Sequence, residues 1–341
     1  MSKVGICVIG SGRAGMIHAA NFAKNVPDAK LVAMVDPVEQ VARDACAELG
    51  ISKYYTDYKP ALADDEINAV VIVTPTKFHV DIATDAAKAG KHILCEKPMA
   101  ITVAECRAMN TAAAEHKVAL QMGFMRRFDA GFIQAKEIVD SGAIGDVVMV
   151  RSNTRGPSVP QPWMYDIRKS NGPLAEVNSH DIDTLRWFTG SEFSNIYAIG
   201  GNYRSPEASA EFPDFYDNVV VAAGFENGMQ GMIDGAQGVG YAYDSRVEVL
   251  GTKGCVYIGR INDNAVVTCT ADTQHGKYPL VDSWRKLFVQ AYLAEDIAFV
   301  ECIIGSTAPK VTGYDGEMAV KVVAAGNLSI IEKRIVYLDS M

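Results

Sequence analysis

The sequence predicts an α/β protein of two domains, in which a doubly wound parallel sheet is followed by an α+β domain with an open, mainly antiparallel sheet. Its length of 341 residues suits two domains, since domains commonly have roughly 100–200 residues. In the first third, short runs rich in Val and Ile alternate with helical patterns, as in parallel sheets buried on both faces. After Gly145, strand patterns joined by short turns dominate, which favours an antiparallel sheet.

The N-terminal elements follow this alternation in order. Gly50 and Gly90 come directly after two helical patterns, where glycine commonly ends a helix. The rhythm changes near Gly123, which predicts one domain over residues 1–122 and a second over residues 123–341. The predicted strands are Val4–Ile9, Leu31–Val35, Ala69–Val73, His92–Cys95 and Val118–Met122. The predicted helices between them are Ala14–Asn25, Val38–Leu49, Val80–Ala89 and Val103–His116.

The second predicted domain contains more strands than helices. Its predicted strands are Val147–Asn153, Asn195–Tyr203, Asn218–Phe225, Gln230–Ala236, Arg246–Leu250, Cys255–Ile258 and Ala265–Cys269. Its predicted helices are Ala130–Ser141, about Glu176 to Phe188, Ser283–Ile304 and Asp315–Glu332.

Composition argues against several classes of protein. The formal net charge of −9 disfavours nucleic acid and anionic membranes as partners, because both need a basic surface. No apolar run approaches the length that spans a bilayer. The seven cysteines form no C-x-x-C pair and the histidines no H-E-x-x-H motif, which predicts free thiols and no metal site. We therefore expect a cytoplasmic enzyme.

A glycine motif, Gly10-Ser-Gly-Arg-Ala-Gly15, links the first predicted strand to the first helix. Such glycines permit a tight turn and close approach of a pyrophosphate to the helix N-terminus, so the motif predicts a Rossmann domain. Asp36 ends the second strand, where a carboxylate binds ribose hydroxyls and repels a 2′-phosphate. NAD is therefore expected rather than NADP, although Arg13 lies nearby. The alternative is a structural turn with an unrelated aspartate.

Lys97 follows the predicted strand that ends at Cys95, and Pro98 stiffens the loop that carries it. Ligands bind at the carboxyl ends of strands in such sheets, so Lys97 is a candidate to hold a substrate hydroxyl. The alternative is an ordinary solvated lysine.

Glu176, His180, Asp183 and Trp187 are spaced by four, three and four residues, which places them on one face of the predicted helix. Histidine suits proton transfer near neutral pH. The alternative is a solvated helix face with ordinary side-chain pairing.

With these motifs in place, the chain resembles the family of glucose–fructose oxidoreductase, inositol dehydrogenase and MocA (Gfo/Idh/MocA) proteins over essentially its whole length. The segments that carry the resemblance are Gly10–Gly15, Thr74-Pro75 with His79, Glu96-Lys97-Pro98, Gly123–Asp129, His180–Asp183 and Asp315–Glu317. Within the family, the chain is most similar to inositol 2-dehydrogenases, through GFMRRFD at Gly123–Asp129, a proline-rich loop before Gly172, and Tyr241-Ala-Tyr-Asp244.

The resemblance implies a role for each matching residue. Lys97 and His180 carry catalysis with Glu176 beside them, and Arg127, Asp183 and Tyr243 join Lys97 and His180 in the polyol pocket. The implied cofactor contacts are Gly10, Gly12, Arg13, Ala14, Gly15, Asp36, Thr74, Pro75, His79, Glu96 and Lys97. The first domain would bind NAD, and the second would bind substrate and form dimers or tetramers. Tyr241 and Tyr243, two apart on a probable strand, should face the same way.

Three positions depart from the family pattern. Glu176 stands where the family usually has Asp, Thr76 replaces the Asn of its T-P-N segment, and Asn171 replaces the first glycine of S-G-G. Because the Glu176 carboxylate reaches one methylene further, the identity of the polyol stays open.

The expected reaction is NAD-dependent oxidation of a secondary alcohol of an inositol-like cyclic polyol to the ketone, by hydride transfer. His180 is the general base, Lys97 hydrogen-bonds the developing alkoxide, and Glu176 orients the pair. One alternative is a dehydrogenase or ketosugar reductase for another pyranose sugar. Another is a non-catalytic regulator that senses a dinucleotide or sugar, which would have no need of Lys97 and His180.

Overall fold

The structure is a computed structural model that describes residues 3–270 and 273–341, and it divides into two compact units. The first unit contains the chain up to Phe128 together with Gln290–Val320. The second contains Asp129–Val289 and Lys321–Met341. The return of the chain to the first unit was not predicted from the sequence. The assignment of cofactor and substrate roles to residues 1–122 and 123–341 stays a prediction.

Strands and helices alternate in the first third of the chain, and strands dominate afterwards. The strands are β1 (Val4–Ile9), β2 (Ala29–Val35), β3 (Tyr54–Tyr55), β4 (Ala69–Ile72), β5 (His92–Glu96), β6 (Leu120–Gly123), β7 (Val147–Gly156), β8 (Phe193–Gly201), β9 (Asn218–Phe225), β10 (Gln230–Gln237), β11 (Asp244–Gly251), β12 (Cys255–Ile258), β13 (Thr268–Thr270), β14 (Thr273–Lys277) and β15 (Val336–Tyr337). The helices are α1 (Arg13–Lys24), α2 (Glu39–Leu49), α3 (Tyr58–Leu62), α4 (His79–Lys88), α5 (Val103–Glu115), α6 (Ala130–Asp140), α7 (Ile167–Ser170), α8 (Gly172–Glu176), α9 (Ser179–Thr189), α10 (Trp284–Leu287), α11 (Val289–Gly305) and α12 (Gly313–Glu332). Among them, no helix combines the length and apolar character that crossing a membrane requires.

The first unit contains a parallel sheet in the order β3-β2-β1-β4-β5-β6, which confirms the predicted doubly wound fold. Both sheet faces are apolar, and Phe22 of α1 and Phe299 of α11 pack into the same buried cluster as the strands. This packing explains why residues 290–320 belong to the first unit. The short elements β3 and α3 were not predicted, because neither is long enough to show a periodic pattern.

The second unit contains a mixed sheet in the order β12-β11-β7-β10-β9-β8-β15. Its pairs are antiparallel except β7 with β10, which are parallel, so the prediction of a mainly antiparallel sheet is confirmed. One face of this sheet is buried, and α9 contacts it at β7. The residues that alternate with the buried ones point to the opposite, more exposed face.

Three local predictions were wrong. The helix expected over Glu176–Phe188 is two helices, because Val177 and Asn178 separate α8 from α9. The helix expected over Ser283–Ile304 is divided at Phe288, a buried residue of the second unit. Residues 241–243 precede β11 and lie outside any strand.

Candidate active site

The glycine turn after β1 leaves open space at the N-terminus of α1. Gly10 has a φ of +105°, and a Cβ there would lie 2.6 Å from the carbonyl oxygen of Val73. A Cβ on Gly15 would lie 1.9 Å from the carbonyl oxygen of Gly10, so turn and helix touch closely. A Cβ on Gly12 would meet nothing within 4 Å. Two glycines are thus required by packing, and the third keeps the helix end accessible.

Asp36 lies beside this turn, directly after β2. Its Oδ2 accepts the Ser11 N–H at 3.1 Å, and its Oδ1 accepts the Val38 N–H at 3.0 Å. In the structure, no side chain caps α1, whose first residues are Arg13 and Ala14. Uncapped N–H groups suit a pyrophosphate and a fixed carboxylate suits ribose hydroxyls, so these residues fit NAD.

His79 connects the loops that follow β4 and β5. Its Nε2 lies 2.8 Å from the carbonyl oxygen of Thr74, and its Nδ1 lies 3.0 Å from the carbonyl oxygen of Pro98. The side chain is buried, and burial lowers the pKa of His79 despite these two contacts. His79 therefore holds the backbone around Thr74 and the exposed Pro75, while its predicted contact with the cofactor stays a prediction.

Glu96 and Lys97 lie at the carboxyl end of β5. The Glu96 carboxylate is buried, and its Oε2 accepts the Lys97 N–H at 3.0 Å. Lys97 is half-buried and precedes Pro98 through a cis peptide bond. Lys97 therefore stands at the sheet edge where the sequence predicted it.

Arg127 has a carboxylate partner within the first unit. Its Nη2 donates to Asp315 Oδ1 at 2.9 Å, and both side chains are mostly buried. Asp315 Oδ2 also accepts the N–H and the hydroxyl of Thr312, at 2.8 and 2.9 Å. The ion pair fixes the guanidinium, and its predicted contact with substrate stays a prediction.

His180 occupies the first turn of α9, but Glu176 is the last residue of α8. The predicted helix face with spacing four, three and four is therefore wrong at its first position. His180 and Asp183 remain three apart on α9 and are only 6% and 1% exposed, whereas Trp187 is half-buried. A solvated helix face is thus excluded for His180 and Asp183, and the Asp183 Oδ1 lies 4.0 Å from Nη1 of the buried Arg186.

Asp181, next to His180, anchors α9 on the sheet. Its Oδ1 accepts the hydroxyls of Ser152 and Thr154 on β7, at 2.5 and 2.9 Å. Its Oδ2 accepts from Asn178 Nδ2 at 2.7 Å. Asn178 lies so close to β10 that a Cβ on Gly235 would be 2.2 Å from its Oδ1. The first turn of α9 is thereby held over the parallel pair β7 and β10.

Tyr243 lies at the end of β7. Its N–H donates to the Val281 carbonyl at 2.7 Å, and a Cβ on Gly156, the last residue of β7, would be 3.7 Å from its ring. Tyr241 is 45% exposed and donates its hydroxyl to Asp244, whereas Tyr243 is 7% exposed. The expectation that the two tyrosines face the same way is wrong, because neither lies in a strand.

In each unit, the structure gathers predicted residues at the ends of strands that are parallel neighbours. In the first unit, Gly10, Asp36, Thr74 and Lys97 follow β1, β2, β4 and β5. In the second unit, the β7 residue Thr154 contacts the turn that carries His180, and Tyr243 contacts the end of the same strand.

Sequence reasoning missed three buried polar residues, His18, Asp181 and Asp296. A histidine three residues after Gly15, on the apolar side of α1, was a weak signal for His18. Asp181 lay inside a recognised motif but received no role. The partners of Asp296 are more than 270 positions away in the chain, so no local pattern could indicate its role.

Comparison with known proteins gives a family match over both units. The model of the oxidoreductase family with an NAD-binding Rossmann fold matches residues 4–124, and the model of the GFO/IDH/MocA C-terminal domain matches residues 132–257.

Individual relatives match over nearly their full length. The chain is 33% identical to scyllo-inositol 2-dehydrogenase (NAD(+)) of Bacillus subtilis, over 99% of this chain and 97% of that one. It is 34% identical to myo-inositol 2-dehydrogenase of Thermotoga maritima, over 98% and 99%. The crystal structure of scyllo-inositol dehydrogenase from Lactobacillus casei, with bound NAD(H) and scyllo-inositol, matches with a TM-score of 0.92, 29% identity and coverage of 99% and 100%.

Proposed function

Because the chain belongs to the Gfo/Idh/MocA family of oxidoreductases, we propose that it oxidises a secondary alcohol of an inositol-like polyol to the ketone. The relatives named above act on scyllo- and myo-inositol, whose rings differ in the orientation of one hydroxyl. Their similar identities of 33% and 34% favour neither isomer. The proposed substrate class is therefore the cyclic polyol, and the stereoisomer is a question for assay.

The burial of His180 and Asp183 on α9 carries this proposal. At 6% and 1% exposure the two side chains are shielded from bulk water, where a proton-accepting imidazole and a carboxylate act more strongly on the hydroxyls of a polyol. His180 takes the hydroxyl proton as general base. Lys97 donates a hydrogen bond to the oxygen as negative charge develops there. NAD supplies the hydride acceptor.

Glu176, Arg127 and Tyr243 complete the proposed set. Glu176 ends the helix before α9 and is half-buried, so its proposed role is to orient His180 from the preceding turn. Arg127 and Tyr243 are proposed to bind further hydroxyls of the ring. In the cofactor site, the proposed contacts are those of the glycine turn, Asp36, Thr74, Pro75, His79, Glu96 and Lys97.

A turnover screen tests the proposal. Purified protein is assayed with NAD against inositol isomers and common pyranose sugars, and the ketone product is identified. We expect turnover with at least one inositol and loss of that turnover in His180→Ala. The matched control is His116→Ala, which should retain turnover because His116 is an exposed residue at the C-terminal end of α5. Faster oxidation of a pyranose would favour the sugar dehydrogenase, and dinucleotide binding without any turnover would favour the regulator.

The sheet of the second unit supports a further proposal, that the chain forms dimers or tetramers. Ile199 of β8 pairs with Val220 of β9, and Tyr197 lies two residues before Ile199 on the same face of the sheet. Tyr197, Ile199 and Val220 are 38%, 60% and 40% exposed. Tyr257 is 76% exposed on the same face but lies on β12, separated from this group by β10, β7 and β11. Adjacent exposed apolar side chains such as those of Tyr197, Ile199 and Val220 mark interaction surfaces. Sedimentation equilibrium of wild type and Ile199→Glu checks the proposal, since the charged side chain should shift the distribution toward monomer.

We also propose a cytoplasmic setting. All seven cysteines lie within the described residues and are free thiols, and most are buried. Burial raises the pKa of Cys7, Cys95 and Cys106, which keeps these thiols protonated and unreactive. Fractionation of the source cells checks this location.

A further inference from the structure

Four ionisable side chains meet in the core of the first unit, and three of them have no part in the glycine motif or the proposed chemistry, whereas the fourth, Glu96, is also a proposed cofactor contact. His18 of α1, Glu96 of β5, and Glu295 and Asp296 of α11 are each at most 6% exposed. Ligand-type atoms of His18, Glu96 and Glu295 lie within 4.8 Å of one another. We call these four residues the His18 cluster.

The imidazole of His18 bridges two carboxylates. Its Nδ1 lies 2.6 Å from Asp296 Oδ1, and its Nε2 lies 3.2 Å from Glu96 Oε1. Asp296 Oδ2 also accepts from Asn21 Nδ2 at 2.8 Å. The ring of Tyr292 packs edge-on against the imidazole at a centroid distance of 5.3 Å. His18 is thus held from three sides.

When Asp296 and Glu96 are ionised, both ring nitrogens of His18 face oxygens that only accept, so both must donate, whereas a neutral imidazole has one N–H. Burial by itself would lower the pKa of His18. The charges of Asp296 and Glu96 and their hydrogen bonds outweigh burial and raise this pKa well above its usual value. His18 is therefore an imidazolium that offsets the charge of the carboxylates around it.

The cluster connects directly to the backbone of Lys97. While Glu96 Oε1 faces His18, Glu96 Oε2 accepts the Lys97 N–H at 3.0 Å. A Cβ on Gly123 of β6 would lie 3.0 Å from the Glu96 carboxyl carbon, so the neighbouring strand leaves this carboxylate little freedom. His18 itself lies one turn beyond Gly15, on the helix that begins at the glycine turn.

We propose that His18 is a positioning residue that fixes Lys97 through the Glu96 carboxylate and ties it to the helix of the glycine turn. This inference rests on the proposed function only where it concerns turnover. The imidazolium orients one carboxylate oxygen, so the other oxygen holds the Lys97 amide in a single place. The cluster also fixes the start of the Lys97 loop relative to α1. A lysine displaced by about 1 Å from the reacting oxygen loses much of its effect on the reaction.

The test compares His18→Gln with the matched control His92→Gln. His92 lies on the same strand as Glu96 but at its opposite end, where its Nδ1 accepts the Ala119 N–H at 3.0 Å. We expect His18→Gln to lower kcat on the order of 100-fold while the calorimetric Kd for NAD changes by less than about threefold. His92→Gln should leave kcat unchanged.

Two measurements do not depend on turnover. Carbon-13 and nitrogen-15 spectra of histidine-labelled wild type, assigned with His18→Gln, should show His18 as an imidazolium at a pH at which free histidine is neutral. Hydrogen exchange should accelerate at the Lys97 amide in His18→Gln but not in His92→Gln. If His18→Gln does not fold, the His18 signals are assigned by elimination from single variants of the other five histidines, and hydrogen exchange at the Lys97 amide is compared between wild type and Glu96→Gln.

Each result separates this inference from the proposed function. An imidazolium with selective exchange at Lys97 supports the positioning role even if no polyol is turned over. A neutral His18, or uniform loss of protection across the first unit with unchanged kcat, would overturn it while leaving the dehydrogenase proposal standing. One metal ion per chain, retained on purification and lost in His18→Gln, would also overturn it, since the cluster would then bind a metal instead of a proton.

Discussion

The two units each bury a carboxylate next to a residue proposed for catalysis, but they stabilise its charge with different kinds of donor. In the first unit, Glu96 precedes Lys97 and faces the His18 imidazolium. In the second, Asp181 follows His180 and accepts from neutral groups, the Ser152 and Thr154 hydroxyls and the Asn178 amide. Both arrangements attach a catalytic candidate to a rigid element. Only the first relies on a proton that rising pH can remove.

The difference between the two sites follows from which side chains surround the Asp181 and Glu96 carboxylates. The β7 strand supplies two hydroxyl side chains on the buried face, spaced two apart and therefore on the same side. The first unit places Glu295 and Asp296 of α11 near His18 and Glu96, where a cation offsets part of the negative charge.

The largest expected effect is on turnover. Lys97→Ala and His180→Ala should each lower kcat by about 10²–10⁴-fold, because each removes a group that handles the proton or the charge of the alkoxide. The double variant should be little slower than the slower single variant, since residues of one catalytic group are not additive. Steady-state kinetics with NAD and the preferred polyol measures both. Simple multiplication of the two losses would mean that the residues act independently.

The next largest expected effect is a loss of folding stability when Asp181, the carboxylate with neutral hydrogen-bond donors, is removed. Asp181→Ala leaves three buried donors without their carboxylate, and we expect a loss of at least about 3 kcal/mol in the free energy of unfolding. The exposed Asp339→Ala in the same unit is the control, expected to change it by less than about 0.5 kcal/mol. Urea denaturation measures both, and equal effects would show that Asp181 does not anchor α9.

Asp183 offers a smaller effect on binding. Asp183→Ala should weaken apparent polyol affinity by about 1–3 kcal/mol, because a ring hydroxyl loses its partner. NAD affinity should be nearly unchanged, since the cofactor contacts proposed above lie in the first unit. Calorimetry with NAD and steady-state kinetics with polyol separate the two. Loss of NAD affinity with unaltered polyol kinetics would contradict the placement of Asp183.

The smallest expected effect is on how the free energy of unfolding depends on pH, which should differ between variants of His18 and of Asp181. The pKa of His18 is raised on folding, so its stabilisation is complete below the unfolded pKa of about 6.5 and declines as pH rises through the folded pKa. The stability gap between wild type and His18→Gln should therefore narrow with rising pH, by at most about 1.4 kcal/mol per pH unit. The gap between wild type and Asp181→Ala should show no such decline at alkaline pH. Urea denaturation at several pH values measures both gaps. If the two gaps changed with pH in the same way, the proposed difference between the two carboxylate sites would be wrong.

Cofactor choice gives a separate test of the first unit. Asp36 is held beside the glycine turn by two backbone N–H groups, and its charge should repel a 2′-phosphate. Asp36→Ala should therefore narrow the preference for NAD over NADP in kcat/KM. Equal use of the two cofactors by wild type would contradict this role of Asp36.

Much of the site could be predicted because its signals are local. The glycine turn, α1 and Asp36 fall within the first 36 residues, where strand, turn and helix each have their own pattern. Lys97 was predicted from its place after β5, since strand ends in a parallel sheet share one edge. His180 and Asp183 were predicted from helical spacing, which holds within α9.

The sequence by itself determined the doubly wound sheet, the glycine turn and the residues at the strand ends, because residue period and glycine placement act over short distances. Only the tertiary structure decided the break between Glu176 and His180, where Asn178 packs on Gly235 and Asp181 bonds to β7. It also decided the parallel pairing of β7 with β10 and the bridge from His18 to Asp296. These contacts join residues far apart in the chain, and their free energy comes from burial and charge pairing that no local pattern contains.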